Sequence, residues 1–463
     1  MNTKITTTKL LILYFGIRLF SYLFTPVTPL WTQSPVNTLV SFLILALSSY
    51  WIYKNDDRGW YIIAAEIIFG GAGGYLKIFS ISLRTCLLIV SLLIYFSRKI
   101  YRQRRGFFAR LKTKHYLMLA LILVSVLSAL NGFYQHHTRG AVISDLIPYF
   151  FFLYFFPLAD LWLSTEFRDL TKKAIVASII GNGLFILFTQ IGFSTGIFVL
   201  QQQYYHWFRD VALGKITDID FHFYRLVLNE HLMLVPLMIY WIADIIKNKI
   251  NKNNFIILSV LLFILANNLT RIYMVALAIG MLCLFSFNNW KTWLKTIAVC
   301  MVSFVFIFTT MHIIISRGKS FGFEIFGLRL QSIATPQIEG SSLSRLLLLP
   351  KIIDKIKIHP IVGDGLGDTV TVFSPVYQTT ITTSQFDWGY LEIWTEMGLF
   401  GLLLWIALIY HTTKTTKNKT LLAIFVSYLI INITSPALFH VFGVILLTIL
   451  LIKPILEPNA TEL

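Results

Sequence analysis

Long apolar runs separated by short polar stretches dominate the chain. A run of about 17–25 apolar residues is long enough to cross a hydrocarbon core roughly 30 Å thick. About fourteen runs approach this length, and each predicts a membrane-spanning helix. The predicted spans are 9–27, 37–53, 60–77, 82–97, 116–134, 141–163, 173–194, 226–246, 254–268, 272–288, 294–315, 389–410, 420–434 and 438–453.

Two of these runs contain residues that a membrane span tolerates poorly. The first, 9–27, contains Arg18, and the third, 60–77, contains Glu66 and the glycine-rich stretch 70–74. Either run could be re-entrant, because intramembrane charges are costly unless they are paired. The predicted fold is therefore an all-α polytopic transmembrane bundle of about 12–14 spans.

The basic loops predict the orientation of these spans. The stretches 98–114, 247–252, 291–295 and 414–419 are rich in Lys and Arg and contain no acidic residue. Alternating spans place all four on one side, which the positive-inside rule assigns to the cytoplasm. Both termini are then cytoplasmic, and the long loop 316–388 lies on the outer face.

This topology divides the chain into three predicted regions. Residues 1–315 form transmembrane helices with short loops, and residues 316–388 form a long outer loop that contains short amphipathic helices. Residues 389–463 form the C-terminal transmembrane helices and a short cytoplasmic tail. We therefore expect a multi-pass protein of the cytoplasmic (inner) membrane.

The composition agrees with a membrane protein. The chain is 56% hydrophobic and only 13% charged, whereas soluble domains contain about 25% charged residues. The net charge of +17 is explained by basic cytoplasmic loops and anionic lipids rather than by nucleic acid. Three cysteines within apolar runs indicate neither a disulfide framework nor a zinc site. The first apolar run lacks a small-residue cleavage site, so we expect it to be retained.

A glycine-rich run, Gly363-Asp-Gly-Leu-Gly367, raises the question of a phosphate-binding loop. Nucleotide loops require a strand before the glycines and a helix after them, and the predicted outer location excludes cytosolic nucleotides. The preceding segment 345–358 instead predicts an interfacial amphipathic helix, with its apolar face on the bilayer and Lys351, Lys355 and Lys357 pointing outward. Pro350 should bend this helix or mark its start. The glycines therefore predict a tight turn.

Three arginines lie at the predicted outer ends of spans or in the outer loop: Arg225, Arg271 and Arg345. Snorkelling to lipid headgroups could explain each of them alone. Together they favour an anion-binding site, since the guanidinium fork suits phosphate. A lipid diphosphate has its charged group at this depth.

Other polar residues are candidates for the same outer site. Asp387 lies where the outer loop re-enters the membrane, and it is either a structural partner of the arginines or a general base for a sugar hydroxyl. His359 is either structural or catalytic. Glu230 and His231 could line a cavity near Arg225. The two adjacent histidines at 136–137 have no further metal ligand at useful spacing, so we predict no metal site there. We also expect no cofactor.

Two segments resemble the O-antigen ligase and polymerase superfamily. They are SRLLLLPKIIDKIKIHPIVGDGLGD, which ends at Asp368, and FDWGYLEIWTEMGLFGLLLW, which begins at Phe386. Upstream, RLVLNEHLMLVPL and LTRIYMVALAIGMLCLF are similar to family segments in the same order. The C-terminal signature covers about 60 residues, and the first 200 residues match mainly in hydrophobicity.

The resemblance implies glycan transfer on the outer face without nucleotide or metal. It implies a polyprenyl-diphosphate-linked glycan as donor, and a lipid-linked glycan (polymerase) or a lipid A core (ligase) as acceptor. Membrane lipids and a chain-length regulator protein are further candidate partners, and nucleic acid is not. A flippase for lipid-linked glycans is an alternative of another class, but it should show internal repeats and charge within many spans.

The resemblance also implies roles for particular residues. Arg225 and Arg271 would bind the diphosphate leaving group, and Arg345 could assist. Asp387, or alternatively His359, would deprotonate the incoming hydroxyl. Ligases of this family have a histidine where this chain has Asp387, and this difference favours a polymerase. Tyr390, Glu230 and His231 are the remaining predicted substrate contacts.

Overall fold

The computed structural model describes residues 5–25, 34–102, 112–248, 250–335, 340–374 and 378–456. Helices form most of this part of the chain. The α-helices are α1 (Thr7–Phe24), α2 (Pro35–Lys54), α3 (Arg58–Phe69), α4 (Leu83–Arg102), α5 (Thr113–Tyr134), α6 (Arg139–Phe150), α7 (Phe155–Leu161), α8 (Thr165–Ser194), α9 (Gln203–His206), α10 (Leu234–Asn248), α11 (Lys252–Asn268), α12 (Arg271–Cys283), α13 (Trp290–Ile315), α14 (Phe323–Ala334), α15 (Gly340–Ile358), α16 (Gly389–Thr415), α17 (Lys419–Ile431) and α18 (Val441–Leu456).

The strands of the described residues form antiparallel hairpins. Pairing joins β1 (Lys77–Ile78) to β2 (Ile81–Ser82), β3 (Lys215–Asp220) to β4 (Phe223–Val227), and β5 (Val370–Ser374) to β6 (Thr379–Thr383). These hairpins are short insertions between helices, so they do not change the fold class.

Eight helical stretches in the described residues are long and apolar enough to cross a membrane. They are Thr7–Phe24, Pro35–Lys54, Thr113–Tyr134, Arg139–Leu161, Thr165–Ser194, Asn229–Asn248, Phe287–Ile315 and Gly389–Thr415. Shorter apolar helices occupy the positions of four further predicted spans, at α11, α12, α17 and α18. The prediction of an all-α polytopic helical protein is therefore confirmed, while the orientation and the number of complete spans stay predictions.

The third apolar run does not form one continuous helix. Within 60–77, α3 ends at Phe69, and a glycine turn and β1 follow. Ala72 in this turn adopts the left-handed region, with φ 56°. Glycines interrupt the helix because they leave it without side-chain packing and tolerate sharp turns.

The chain forms two compact units, each built from separated segments. Unit 1 contains Met1–Arg102, Ala159–Thr270 and Phe285–Ile325. Unit 2 contains Gln103–Leu158, Arg271–Leu284 and Phe326–Leu463. In unit 1, α8 packs against α1 and α11; in unit 2, α5 packs against α16, and α12 against α17.

The amphipathic helix predicted for the segment 345–358 forms as α15 but uses its apolar face differently from the prediction. Leu348, Ile352 and Ile356 are buried, and they pack against Val370 of β5 and against Phe386. This face therefore packs on the hairpin rather than facing the bilayer, because β5 offers an apolar surface within the same unit. Pro350 lies inside the helix, which begins at Gly340, so it does not mark the start.

Helix α16 is broken at Gly398, which adopts φ 65° and ψ −170°. The break leaves main-chain groups without helical partners, and the glycine-rich loop after α15 supplies them. The N–H groups of Asp364 and Gly365 donate to the carbonyls of Thr395 (2.7 Å) and Glu396 (3.1 Å). On the other side of the break, Leu399 N–H donates to the carbonyl of Pro360 at 3.0 Å. The loop thus restores the hydrogen bonds that the break removes.

The glycines of this loop are required by backbone conformation and by close packing. Gly363, Gly365 and Gly367 have φ of 81°, 100° and 76°. A Cβ at Gly363 would lie 2.6 Å from the Glu396 carbonyl, and one at Gly367 would lie 2.6 Å from Val142 N. The predicted tight turn is present, and its glycines serve main-chain packing.

We predict that Gly398→Ala destabilises the protein. Its φ and ψ are essentially restricted to glycine, which corresponds to a cost of about 1–3 kcal/mol, and a Cβ would also collide with the Ile361 carbonyl. The midpoint of thermal unfolding in detergent should fall. Gly16→Ala is the matched control, since a Cβ at Gly16 meets no heavy atom within 4 Å. Equal midpoints for the two variants would contradict this account of the break.

Candidate active site

In unit 1, Arg225 is anchored at the corner that follows α11, formed by residues 268–270. It lies on β4, and its Nε donates to the Asn268 carbonyl at 2.7 Å while a terminal nitrogen donates to Thr270 Oγ1 at 2.9 Å. The intervening Leu269 adopts the left-handed region, with φ 48°. The next residue after Thr270 in the chain is Arg271, the first residue of α12 and partly exposed. The structure therefore holds the Arg225 guanidinium in a defined position.

Glu230 and His231 lie directly after β4, in the 3-10 turn Asn229–Met233. A terminal nitrogen of Arg18 donates to Glu230 Oε1 at 2.8 Å, and the two side chains are 3% and 7% exposed. His231 is 2% exposed, and its Nδ1 lies 2.7 Å from Asn268 Nδ2. Both residues are therefore part of a buried polar network, and Arg18, the partner of Glu230, lies 212 positions away in the chain.

In unit 2, Arg345 and Asp387 form an ion pair. Arg345 Nε donates to Asp387 Oδ2 at 3.2 Å, and both side chains are about one third exposed (31% and 36%). The Trp388 indole N–H also donates to the Arg345 carbonyl at 3.1 Å. Residues 42 positions apart in the sequence are thus joined at the start of α16.

The conformation of Asp387 is set by its neighbours. Its φ of 57° lies in the left-handed region, which an aspartate tolerates better than most residues. The Phe386 N–H donates to Glu392 Oε2 at 3.0 Å, and Glu392 is buried (4% exposed). Glu392 therefore fixes the main chain beside Asp387. It is one of two buried glutamates on α16, and Glu396 is the other.

Glu396, the second acid, binds the glycine loop. Its Oε1 accepts the Gly367 N–H at 3.1 Å, and its carbonyl accepts Gly365 N–H and the Ser128 hydroxyl. Leu366 N–H donates to the Ser128 carbonyl at 3.1 Å. The main-chain donors of the loop are therefore used within the protein, and they do not form a phosphate cradle.

His359 and Tyr390 have distinct positions in unit 2. His359 follows the last residue of α15 and is 45% exposed, with Nε2 3.7 Å from Asp364 Oδ1. The Tyr390 hydroxyl donates to the Leu429 carbonyl on α17 at 3.0 Å. His359 is thus accessible beside a carboxylate, whereas the Tyr390 hydroxyl joins α16 to α17.

One cluster of charged residues could not be found from the sequence. Lys355 Nζ lies 2.6 Å from Asp368 Oδ1 and 2.9 Å from Asp364 Oδ2, and His137 Nε2 lies 3.8 Å from Asp368 Oδ1. The possible metal ligands His137, Asp364 and Asp368 come within 4.8 Å of one another, and the Lys355 ammonium contacts both carboxylates. Lys355 was predicted to point outward; it turns inward because Asp368 is buried there (2% exposed).

The electrostatics of Lys355 follow from these partners. Partial burial acts to lower the pKa of its ammonium, but the hydrogen bonds with Asp368 and Asp364 outweigh burial and raise this pKa above its ordinary value. The ammonium is therefore charged at neutral pH and serves as the internal counter-ion of the cluster.

Unit 1 also contains an open cavity of about 520 Å³. Its walls come from the end of α8, the turn between β3 and β4, and the end of α13. Phe193, Phe198 and Tyr224 give it an aromatic wall, and Arg317 and Lys319 lie at its edge. The cavity has the size of a small-molecule pocket.

We predict that Lys355→Met lowers stability by leaving two carboxylates without their cation. Loss of a partner for a buried polar group costs about 1–3 kcal/mol, so the midpoint of thermal unfolding in detergent should fall. Lys357→Met is the control on the same helix, because Lys357 is 72% exposed and lies 3.7 Å from Asp354. If the unfolding midpoint of Lys355→Met equals that of the parent protein, the counter-ion role of Lys355 is wrong.

Comparison with known proteins is consistent with this arrangement. Neither the curated proteins nor the solved structures gave a match. Residues 255–406 match the family model described as O-antigen ligase. The matched segment contains Arg271, Arg345, the glycine loop, Asp387 and the break in α16. This match supports membership of the segment 255–406 in the O-antigen ligase and polymerase superfamily. Together with the eight long apolar helices of the described residues, it supports a multi-pass membrane enzyme of the glycosyl-transfer type in surface polysaccharide synthesis.

Proposed function

We propose that this protein is a polymerase that joins polyprenyl-diphosphate-linked oligosaccharide units on the outer face of the cytoplasmic membrane. The observation that carries the proposal is the ion pair between Arg345 and Asp387 at the start of α16. It joins a group suited to a phosphate with a group suited to a hydroxyl proton, at a separation of 3.2 Å.

In the proposed reaction, a hydroxyl oxygen of the acceptor sugar attacks the anomeric carbon of the donor glycan. The bond between this carbon and the diphosphate oxygen breaks, and the polyprenyl diphosphate leaves with the bonding electrons. The hydroxyl proton passes to Asp387. Positive charge near the departing oxygen stabilises the transition state, and we assign this role to Arg225 and Arg271, with help from Arg345.

The ion pair suggests how substrate binding prepares the base. In the described structure the Asp387 carboxylate accepts from Arg345. A donor diphosphate carries more charge than one carboxylate and competes for the guanidinium, which is exposed enough to move. Drawing Arg345 to the phosphate would release Asp387 for the hydroxyl. The membrane adds to the rate by holding both lipid-linked substrates at one depth.

His359 is the alternative base, because it is accessible and lies 3.7 Å from the Asp364 carboxylate. Ligase activity towards a lipid A core is the second candidate function, and the description of the matched family model favours it. The flippase alternative finds less support in the charges within the apolar helices. A flippase should carry charge within many spans, whereas Arg18 and Glu66, two of the few charges within the predicted spans, are paired with Glu230 and Arg84.

We expect Asp387→Ala to lower glycan extension by at least about a hundredfold, since a positioned general base contributes about 10²–10⁴ in rate. Arg271→Ala should have an effect of similar size through the loss of leaving-group stabilisation. Both variants should accumulate in membranes as the parent does. Activity is measured as polymer length in cells that carry each variant. Asp354→Ala, an exposed carboxylate on α15, is the control and should behave as the parent. Normal polymer length for Asp387→Ala would reject the base assignment.

A second experiment separates the two candidate functions. Purified protein is supplied with lipid-linked repeat units alone, without a lipid A core. A polymerase extends them to longer lipid-linked chains, which gel electrophoresis resolves. Transfer that occurs only after lipid A core is added would identify a ligase and refute the polymerase.

A further inference from the structure

We propose that the buried pair of Arg18 and Glu230 is a positioning device for Arg225. It acts through His231 and Asn268, which connect Glu230 to the corner that binds the Arg225 guanidinium. The inference rests on the proposed role of Arg225 in binding the donor diphosphate. It gives α1, which lies outside the matched segment, a part in that site.

The pair is built in a way that stability alone does not explain. Arg18 and Glu230 are 2.8 Å apart and almost completely buried. Nε and one terminal nitrogen of Arg18, and Glu230 Oε2, have no hydrogen-bond partner within the described part of the chain. Buried ion pairs of this kind are often replaced by apolar residues without loss of stability. A role in positioning other residues would explain why this ion pair is present despite the free-energy cost of burying it.

The position of the Arg18 guanidinium is fixed by its surroundings. Its carbon lies 3.7 Å from the ring centre of Tyr14, 5.1 Å from that of Phe185 and 5.2 Å from that of Tyr75. The Tyr14 hydroxyl and Arg18 both donate to Asn182 Oδ1, at 2.8 and 3.5 Å. Cation–π contacts and hydrogen bonds therefore hold the arginine against α8, and Glu230 is held in turn.

Glu230 is connected to Arg225 through His231, its neighbour in the chain. The neighbouring His231 accepts the Leu228 N–H at Nδ1 (3.2 Å), and the same nitrogen lies 2.7 Å from Asn268 Nδ2. The carbonyl of Asn268 accepts from Arg225 Nε, and its side-chain oxygen accepts from the Thr270 hydroxyl. Both ends of the segment 225–231 are thus tied to one corner. Loss of the contact between Arg18 and Glu230 should therefore allow this corner and the Arg225 guanidinium to move.

The molecule offers a matched control for the pair. Arg84 and Glu66, also in unit 1, form a second buried pair at 2.8 Å, with both side chains 4% exposed. Arg84 also donates to the carbonyls of Glu66 and Ile67. These contacts lie on α3. A variant of this second pair loses the same kind of interaction at α3.

The test measures binding of undecaprenyl diphosphate to the full-length protein in nanodiscs. The double variant Arg18→Met/Glu230→Met should bind about 10–100-fold more weakly than the parent, as expected when a ligand-binding group is misplaced. His231→Phe breaks the same path with a ring of similar size and should show the same loss. Glu66→Met/Arg84→Met should keep parental affinity. In turnover assays the first two variants should raise KM for the donor and leave KM for the acceptor unchanged.

Arg225→Ala separates the inference from the proposed function. If Arg225→Ala binds the diphosphate as tightly as the parent, the assigned role of Arg225 is wrong. If Arg225→Ala binds weakly but His231→Phe binds as the parent does, the positioning path is wrong. Adding Arg18→Met/Glu230→Met to Arg225→Ala should produce no further loss of affinity. A further loss of the full size would also overturn the inference, because the pair would then act independently of Arg225.

Discussion

The break in α16 and its repair by the glycine loop are the constraint on which the rest of unit 2 depends. Main-chain groups within an apolar helix bundle must find partners inside the protein. Gly398 removes those partners, and residues 360–365 supply them from a distant part of the sequence. This holds the loop against α5 and α16, fixes the end of α15, and thereby brings Arg345 to Asp387. A substrate group placed on this frame has a defined position without relying on a flexible loop.

The same constraint governs the charged side chains. Each of these charges has an oppositely charged partner within 3 Å: Arg18 contacts Glu230, Arg84 contacts Glu66, and Lys355 contacts both Asp364 and Asp368. A single charge in an apolar run looks functional because it is costly by itself. Its partner usually comes from a distant helix, so the pairing is visible only after folding. Arg345 and Asp387 differ from these pairs in exposure, and this difference makes them the better candidates for contact with substrate.

Much of the fold could be predicted because it follows from local patterns. Apolar runs predicted the positions of the helices, and α15 ends at Ile358, as predicted for the segment 345–358. The third run was predicted either to span or to be re-entrant, and hydropathy alone does not distinguish the two; in the structure the helix ends at Phe69, before the glycine turn. The apolar face of α15 was correctly expected, but its partner was not, since periodicity does not distinguish a lipid from a hairpin. The glycine loop was correctly predicted to be a turn. Its structural role, which is to bond the main-chain groups left without partners at the break in α16, depends on residues some 35 positions further along the chain.

The sequence by itself determined that this is a polytopic helical protein, which superfamily it resembles, and which arginines and carboxylates are chemically suited to a lipid diphosphate and a sugar hydroxyl. Those properties depend on residue type and on short-range spacing. Only the tertiary structure decided that Asp387 is paired with Arg345, that Lys355 turns inward to two aspartates, and that Arg18 of the first helix connects to Arg225. These contacts join residues that are far apart in the chain. A buried polar group is costly without a hydrogen-bonding or charged partner, and the packing of the helices determines which partner lies near it.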